Sequence, residues 1–349
     1  MGLLIQALLF YIKGNMDFQE LTKIIEENKS FLLTTHVNPD ADAIGSEIAM
    51  YRILKDLGKD VRIINHSTIP YNLEFLDPDD TILKFDETRD KKIFDETDVL
   101  IALDFNRANR VVSMQKFFAE FKGIKICIDH HPNPEDFVNH YFVDDSYAAT
   151  GHIIYDFIKK TKFVDLSYEI AYPLYAAIMT DTGSFRFEKT SPHLHRIISE
   201  LLETGVDPGD VYDKIYDQSK ISKIKLLGKT LDTLKLIDSN RIGYMHILQS
   251  TFNELSALES DTDNFVNYPL SIENVVLSLL FIELKDGFKV SFRSKGNIPV
   301  NEIAANYGGG GHTNAAGARF HNSIIYEEMP KILDFTIEFF NNYYQEQNV

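Results

Sequence analysis

The spacing of hydrophobic positions divides the chain into regions of different character. Between residues 16 and about 190, short apolar runs alternate with segments of helical periodicity. The runs at 31–36, 61–66, 98–104 and 124–129 predict strands, and the last two are continuously apolar up to a final acidic residue. Continuous apolar runs are typical of strands buried on both faces of a parallel sheet. This region therefore predicts an α/β fold, a parallel sheet with helices on both faces.

Helical spacing fills the intervals between these strands. Residues 18–28 predict an amphipathic helix, and apolar positions at 44–57 predict a second helix that Gly58 ends. Residues 171–181 predict a buried helix in which Pro173 is tolerated because it lies near the start.

After residue 191 the pattern changes twice. Residues 192–236 read as mainly helical with few turn signals, which is typical of a connector. From about residue 240, the runs RIGYMHIL, VVLSLLFIEL and GFKVSFRS predict strands with hairpin-like spacing, followed by a helix at NEIAANY and a last helix at 325–345. These elements predict a second, smaller α+β domain, which would face the first across a cleft. The predicted organisation is an extension at 1–15, a parallel-sheet domain at 16–190, a helical connector at 191–236 and a C-terminal domain at 237–345.

The extension MGLLIQALLFYIKGN has no clear structural assignment. Its apolar part is shorter than the roughly 20 residues that span a bilayer, and it lacks the basic region and cleavage site of a signal peptide. Met16 reads as a more natural start, so residues 1–15 are either outside the native protein or a peripheral helix. Nothing else resembles a membrane span, which predicts a soluble protein without a membrane partner.

Charge and cysteine content narrow the classes of function. The formal net charge of −17 argues against a protein that coats duplex nucleic acid, because backbone binding requires a basic face. A small phosphorylated substrate stays compatible with that charge if local cations hold it. The single cysteine, Cys127, excludes an intramolecular disulfide, which fits a cytoplasmic location. Oligomeric state is open, a homodimer included.

Histidine and aspartate cluster in the turn after the first predicted strand. His36, Asp40 and Asp42 lie between that strand and the next helix, and ligands of open α/β sheets gather at the carboxyl ends of strands. Imidazole combined with carboxylates suits Mn²⁺, Fe²⁺ or Zn²⁺ better than Ca²⁺. The alternative is that Asp40 or Asp42 caps the following helix.

Further acidic groups end other apolar segments. Asp104 ends one run, the triplet 129–131 (Asp-His-His) ends another, and Asp181 follows the helix at 171–181. A single carboxylate in such a place is more often a turn former. Burying this many like charges together is prohibitive unless cations neutralise them, so the set predicts a metal centre.

A glycine run marks the second domain. Gly308 to Gly311 precede His312, and glycine lets backbone N–H groups approach a phosphate closely. Upstream, Arg293 and Ser294 end a strand and offer a guanidinium group and a hydroxyl to the same phosphate. A flexible loop with an incidental histidine is the alternative, although a glycine linker would not continue into HTNAAGARF.

Taken in order, these motifs resemble those of the DHH phosphoesterase family. HVNPDADAIGS, LDFN, IDHHP and MTDTGSF are similar to its four motifs, and SFRS with GGGGHTNAAG is similar to its associated C-terminal domain. The resemblance covers nearly everything after Met16, and length and motif details are most like the short members called nanoRNases or pAp-phosphatases. One departure is Ala41, where many members have glycine; it matters only if that position requires φ > 0.

The resemblance implies a site of two divalent metal ions, with Mn²⁺ the expected metal. One ion would be held by His36, Asp40 and Asp104, and the other by Asp42, Asp104, His130 and Asp181, with Asp104 as the bridge. Two such cations can activate a water molecule and neutralise the oxygens on which charge develops. Asp104 and His131 would be the catalytic residues. Phosphate and nucleotide binding is expected from His131, Arg293, Ser294, Gly309, Gly310, Gly311 and His312.

The implied activity is hydrolysis of very short single-stranded RNAs to mononucleotides, with removal of the 3′-phosphate of 3′-phosphoadenosine 5′-phosphate as a related reaction. Three alternatives stay open: a hydrolase of linear dinucleotides such as pApA or pGpG, a RecJ-like single-strand DNA exonuclease, and a non-catalytic nucleotide-binding regulator. The intact set of ligand-type residues argues against the last.

Overall fold

A computed structural model describes residues 16–347, so the predicted extension at 1–15 lies outside the described residues. The chain divides into two units, with the boundary between Gln218 and Ser219. Each unit contains one six-stranded sheet and its own hydrophobic core. Within residues 16–347, none of the helices combines the length and apolar character needed to cross a membrane.

The first unit is built on six parallel strands. They are β1 Ser30–Thr34, β2 Asp60–Asn65, β3 Ile82–Lys84, β4 Val99–Leu103, β5 Ile124–Asp129 and β6 His140–Val143. Their order in the sheet is β3-β2-β1-β4-β5-β6, and each pair is parallel. Every residue of β4 is buried, as expected for a strand covered on both faces. The predicted parallel sheet is confirmed.

Helices cover both faces of this sheet. They are α1 Phe18–Glu27, α2 Ala41–Asp56, α3 Glu87–Glu96, α4 Gln115–Glu120, α5 Thr150–Thr161, α6 Tyr168–Asp181, α7 Pro192–Glu203 and α8 Pro208–Tyr216, with 3₁₀ turns at Glu74–Leu76 and Ala108–Met114. Alternate residues of β1 face opposite sides: Phe31 and Leu33 pack in the core with α2, α5 and α6, whereas Leu32 packs in the core with α3 and α4. Helices on both faces were predicted and are confirmed.

Helices α2 and α6 lie in close contact. Because α6 begins at Tyr168, Pro173 lies in its interior, and the prediction that this proline sits near the helix start was wrong. A Cβ atom on Gly45 of α2 would lie 2.4 Å from the carbonyl oxygen of Pro173. Glycine at position 45 therefore sets the separation of two helices that both carry residues of the candidate site.

The second unit has a mixed sheet. Its strands are β7 Lys235–Ile237, β8 Ile242–Ile247, β9 Leu277–Leu284, β10 Gly287–Ser294, β11 Gly310–His312 and β12 Ala315–His321, in the order β11-β12-β10-β9-β8-β7. Its helices are α9 Ile221–Leu231, α10 Gln249–Leu255, α11 Val300–Asn306 and α12 Ile325–Gln347, with 3₁₀ turns at Glu259–Thr262 and Phe265–Ser271. The predicted connector at 191–236 consists mainly of α7, α8 and α9, and the boundary between the units falls between α8 and α9.

Strand pairing in the second unit agrees only partly with the hairpin-like spacing. β9 and β10 form an antiparallel hairpin, as predicted. β8 and β9 instead pair in parallel, so the prediction was wrong for that pair. The segment between them contains α10 and two 3₁₀ turns, which is long enough for the crossover that parallel strands need.

Candidate metal centre

The first sheet brings the predicted site residues together at one edge. His36 follows β1, Asp104 follows β4 and His130 follows β5, and these three strands are neighbours in the sheet. The order of the strands reverses between β1 and β4. In open α/β sheets, ligands bind at such a reversal, beyond the carboxyl ends of the strands.

The turn after β1 supplies His36 and Asp40. Asp40 is the N-cap of α2, and its Oδ1 accepts hydrogen bonds from the backbone N–H groups of Asp42 and Ala43, both at 3.1 Å. The capping alternative therefore holds for Asp40, yet an oxygen of the same carboxylate also lies close to ligand atoms of His36 and Asp104. Ala41 is the first residue of α2 and its φ is not positive, so this position does not require glycine for its backbone conformation.

The beginning of α5 holds the carboxylate of Asp42. Its Oδ2 accepts a hydrogen bond from Thr150 N at 2.7 Å, and its Oδ1 accepts from Gly151 N at 2.9 Å and from Ser46 Oγ at 3.2 Å. Asp42 is fully buried, and that burial, followed by the charge of Asp181, raises the pKa of Asp42 to about 6.

Asp104 occupies the centre of the arrangement. Its backbone is left-handed, with φ 64°, a region in which aspartate is among the more frequent non-glycine residues. Its Oδ1 accepts a hydrogen bond from Thr150 Oγ1 at 2.9 Å, and its Oδ2 lies 3.4 Å from His36 Nε2. Burial and then the charge of Asp42 raise the pKa of Asp104 well above its usual range.

His130 is surrounded by carboxylates. Its Nε2 lies 3.0 Å from Asp181 Oδ2, 3.6 Å from Asp42 Oδ2 and 3.6 Å from Asp104 Oδ1. Both ring nitrogens are buried. Burial opposes protonation, but the contact with Asp181 and the other carboxylates outweigh it and raise the pKa of His130 to about 9.

His131 is held by the first residue of its own triplet. Its Nδ1 lies 2.7 Å from Asp129 Oδ1, and its backbone N–H donates to Asp129 Oδ2 at 3.1 Å. Asp129 is fully buried, whereas the His131 side chain is 32% exposed. The His131 ring also lies beside that of His130, with centroids 4.5 Å apart. Asp129 thus orients an imidazole that borders the carboxylate cluster.

All six predicted metal-type residues meet here, in groups whose ligand atoms lie within 4.8 Å of one another. The groups are His36–Asp40–Asp104, Asp42–His130–Asp181 and Asp104–His130–His131. Mixed imidazole and carboxylate donors suit divalent transition metals. Several carboxylates buried around one imidazole fit a place for cations, because such charges are otherwise costly to bury. These residues could therefore hold metal ions.

Two residues of the centre were missed from the sequence. Thr150 contacts both Asp42 and Asp104, and Asp129 orients His131. A signal was present for Asp129, since it adjoins two histidines. No sequence signal marks Thr150, because its partners Asp42 and Asp104 lie 108 and 46 residues away in the chain.

The glycine run of the second unit forms part of a hairpin. Gly310 pairs with Gly317 and Gly311 with Ala316, so the run is an exposed edge strand and not only a loop. A Cβ atom on Gly309 would lie 2.2 Å from the carbonyl oxygen of Gly317, and one on Gly311 would lie 2.4 Å from that of Ala315. Close strand approach therefore requires glycine at two of these positions.

The other predicted substrate-binding residues of the second unit lie near this hairpin. Arg293 and His312 both pair with Ala315, from opposite sides, and residues directly paired in antiparallel strands share one face. The Arg293 Nη1 donates to the carbonyl oxygen of Phe292 at 2.9 Å. Ser294 is buried, and its hydroxyl donates to Ile298 O at 2.7 Å and accepts from Asn314 Nδ2 at 2.9 Å.

Two protein-family models match the chain. The model described as "DHH family, N-terminal domain" matches residues 30–178, which include every residue of the candidate metal centre except Asp181. The model described as "DHHA1 domain" matches residues 247–342, which include Arg293 and the glycine run.

Individual proteins match over most of the chain. A protein of Thermus thermophilus named bifunctional oligoribonuclease and PAP phosphatase NrnA is 33% identical, over 86% of this chain and 87% of that protein. A protein of Bacillus subtilis with the same name is 27% identical, over 90% of this chain and 96% of that protein. The crystal structure of an exopolyphosphatase-related protein from Bacteroides fragilis superposes with a TM-score of 0.87 at 33% identity, covering 92% of this chain and 95% of that one.

Proposed function

Since the chain belongs to the DHH family of phosphoesterases, we propose that it is a metal-dependent hydrolase that cleaves very short oligoribonucleotides to mononucleotides. We include the removal of the 3′-phosphate of 3′-phosphoadenosine 5′-phosphate as a second reaction of the same site. The observation that carries the proposal is the buried His130 imidazole, whose Nε2 lies within 3.6 Å of three carboxylates. The names of the Thermus thermophilus and Bacillus subtilis relatives support this choice of substrates.

Our proposed ligand sets share Asp104. One cation would be held by His36, Asp40 and Asp104, and the other by Asp42, Asp104, His130 and Asp181; the groupings of ligand atoms support this division. When bound, the cations supply positive charge to the phosphate oxygens and lower the pKa of an attacking water. Mn²⁺ is the metal we propose, because imidazole with carboxylates is a donor set that suits it.

The protein's own groups have separate tasks in this mechanism. The N–H groups of Thr150 and Gly151 hold the Asp42 carboxylate in place, and the Thr150 hydroxyl does the same for Asp104. Asp129 holds the Nδ1 side of His131, so the opposite nitrogen, Nε2, is the atom that we propose donates to a phosphoryl or leaving oxygen.

In the second unit, we propose that Arg293, His312 and the backbone of Gly309, Gly310 and Gly311 bind a phosphate or the neighbouring nucleotide. The shared face of Arg293 and His312 supports a common ligand for those two side chains. Ser294 remains a weaker candidate, because its hydroxyl already makes two hydrogen bonds within its own unit.

The test is a substrate panel with purified protein. Labelled RNAs of two to five nucleotides and 3′-phosphoadenosine 5′-phosphate should be hydrolysed with Mn²⁺, and an Asp104→Ala variant should be inactive. Linear pApA and pGpG, short single-stranded DNA and pyrophosphate complete the panel and separate the alternative substrates. Unchanged RNA, or equal turnover by wild type and Asp104→Ala, would refute the proposal.

Metal analysis separates an enzyme from a regulator that keeps only the fold. About two transition-metal ions per chain are expected in the wild-type protein if both groups are filled. We also propose a cytoplasmic enzyme, in keeping with its single buried cysteine. A homodimer is a further expectation, which light scattering on the purified protein decides.

A further inference from the structure

The segment that follows Asp181 has an unusual backbone. Gly183, Ser184 and Phe185 are successive residues with φ of 57°, 56° and 64°. Glycine adopts the left-handed region without strain and Asn or Asp enters it more often than other residues, whereas a bulky residue there is an outlier. Such positions cluster at functional sites, where they fix a particular side chain. Here the left-handed turn begins two residues after a proposed metal ligand.

Local hydrogen bonds define this turn. The carbonyl oxygen of Thr182 accepts from Arg186 N at 2.9 Å and from Phe187 N at 3.0 Å, while its Oγ1 accepts from Phe185 N at 3.1 Å. The Arg186 guanidinium is also tied to the turn, since its Nε donates to Gly183 O at 2.7 Å. The direction in which residue 187 leaves the turn is therefore fixed by the backbone.

The two phenylalanines of the turn have different surroundings. Phe185 packs inward against Tyr175 and His195, with ring centroids 6.1 and 5.8 Å away. Phe187 is 58% exposed. A Cβ atom on Gly183 would lie 2.5, 2.5 and 2.8 Å from three adjacent carbons of the Phe187 ring. Such similar distances place the ring face, and not its edge, against the Gly183 backbone, which leaves the opposite face to solvent.

We propose that the exposed face of Phe187 is a stacking platform for an unpaired nucleobase of the substrate, an inference that rests on the proposed function. Consecutive Cα atoms are 3.8 Å apart, so Gly183 lies at most about 8 Å from Asp181, and the ring lies directly on Gly183. That separation is within the reach of a nucleotide whose phosphate occupies the metal centre. Stacking tolerates any base, because every base has a π face. It therefore suits an enzyme that selects short substrates without reading their sequence.

The experiment compares Phe187→Ala, Phe187→Leu and Phe187→Trp with the wild type, with Mn²⁺ bound. Steady-state kinetics are measured on pApA and on an analogue of the same length that lacks both bases. Alanine and leucine should raise KM for pApA on the order of ten-fold with kcat little changed, whereas tryptophan should retain the wild-type KM. All four proteins should have the same KM for the base-free analogue. Tyr212→Ala, which removes another exposed aromatic ring of the first unit, is the matched control and should not change either KM.

The leucine variant distinguishes stacking on a base from apolar packing on the Gly183 backbone, because leucine is apolar but has no π face. Equal KM values for pApA in all four proteins would overturn the inference, as would an equal rise of KM on the base-free analogue. Failure of the proposed function looks different: wild-type protein with bound Mn²⁺ would hydrolyse no member of the panel. Calorimetric binding of pApA to the same four proteins then still decides whether the ring stacks on a base.

Discussion

Replacement of Glu47 by glutamine probes the network beneath the metal centre. Glu47 lies in α2 and is fully buried; its Oε2 accepts a hydrogen bond from Asn65 Nδ2 at 2.7 Å, and its Oε1 has no hydrogen-bond partner among the described residues. Asn65 Oδ1 in turn accepts from Thr35 N at 3.0 Å and from Thr34 Oγ1 at 3.3 Å. These bonds hold the end of β1 directly before His36.

Burial raises the pKa of Glu47 from 4.5 to about 8. Between these two values the folded protein keeps the proton on Glu47 while the unfolded chain has lost it. The free energy of unfolding therefore falls by about 1.4 kcal/mol for each pH unit in this range. This contribution to stability is fully present below about pH 4.5 and is lost as the pH rises through about 8. Between about pH 5.5 and 7.5 the loss amounts to about 2.7 kcal/mol.

Glutamine keeps the shape of Glu47 and an oxygen that can accept from Asn65, but it does not titrate. The free energy of unfolding of Glu47→Gln, minus that of the wild type, should therefore rise by about 2.7 kcal/mol from about pH 5.5 to 7.5. Urea unfolding followed by circular dichroism measures it, with a chelator present so that bound cations do not contribute. Glu26→Gln, at an exposed position of α1, is the control and should run parallel to the wild type. Parallel profiles for Glu47→Gln would refute the reasoning, and a free energy of unfolding of Glu47→Gln that falls relative to the wild type with rising pH would show that the buried carboxyl is ionised.

Three further substitutions test the centre and its support. Asp104→Asn keeps a residue that tolerates the left-handed backbone but removes the charge shared by two groups of candidate ligands. Bound metal should therefore fall from about two ions per chain to fewer than one. Unchanged metal content would contradict the shared role. Thr150→Val removes the hydroxyl that contacts Asp104 while keeping nearly the same side-chain shape. Metal affinity measured by titration should fall about 10- to 100-fold and should recover in Thr150→Ser. Wild-type affinity in the valine variant would exclude a positioning role. Gly45→Ala places a methyl group against Pro173 O and should lower the free energy of unfolding by about 1–3 kcal/mol. Gly228→Ala in helix α9 is its control, because a Cβ atom there would have no atom of residues 16–347 within 4 Å apart from its chain neighbours and the backbone of its own helix, and thermal unfolding should show no loss of stability.

The first sheet and its site residues could be predicted because periodicity and strand ends contain the information. Continuous apolar runs indicate buried parallel strands, and parallel strands place their carboxyl ends at one edge. His36, Asp104 and His130 follow three such strands, so their convergence required only that these strands be neighbours. The resemblance to the DHH family, confirmed by both family models, implied this convergence because its expected ligand sets share Asp104.

Other features depend on distances that no local pattern contains. Thr150 has the sequence context of a helix start, and its contacts with Asp42 and Asp104 arise only when α5 packs against the sheet. The parallel pairing of β8 with β9 was missed for a similar reason, since strand patterns show where strands lie and not which of them pair. The strand β12 was missed because AAGARFH has few of the β-branched residues that favour strands. Its small residues are explained by the close approach of Gly309 and Gly311.

The backbone of Asp104 shows why this position is less replaceable than the other carboxylates. Its N–H donates to Ile128 O at 3.0 Å, so the bonding between β4 and β5 continues to the residue that leaves the sheet. The left-handed φ then turns the chain there, and it confines the position to residues that tolerate this conformation. Glutamate would keep the charge, but it is less suited to the backbone and its carboxylate would lie one methylene farther from the sheet. The place of the proposed shared ligand is thus set by the sheet and the turn together, and its orientation by Thr150.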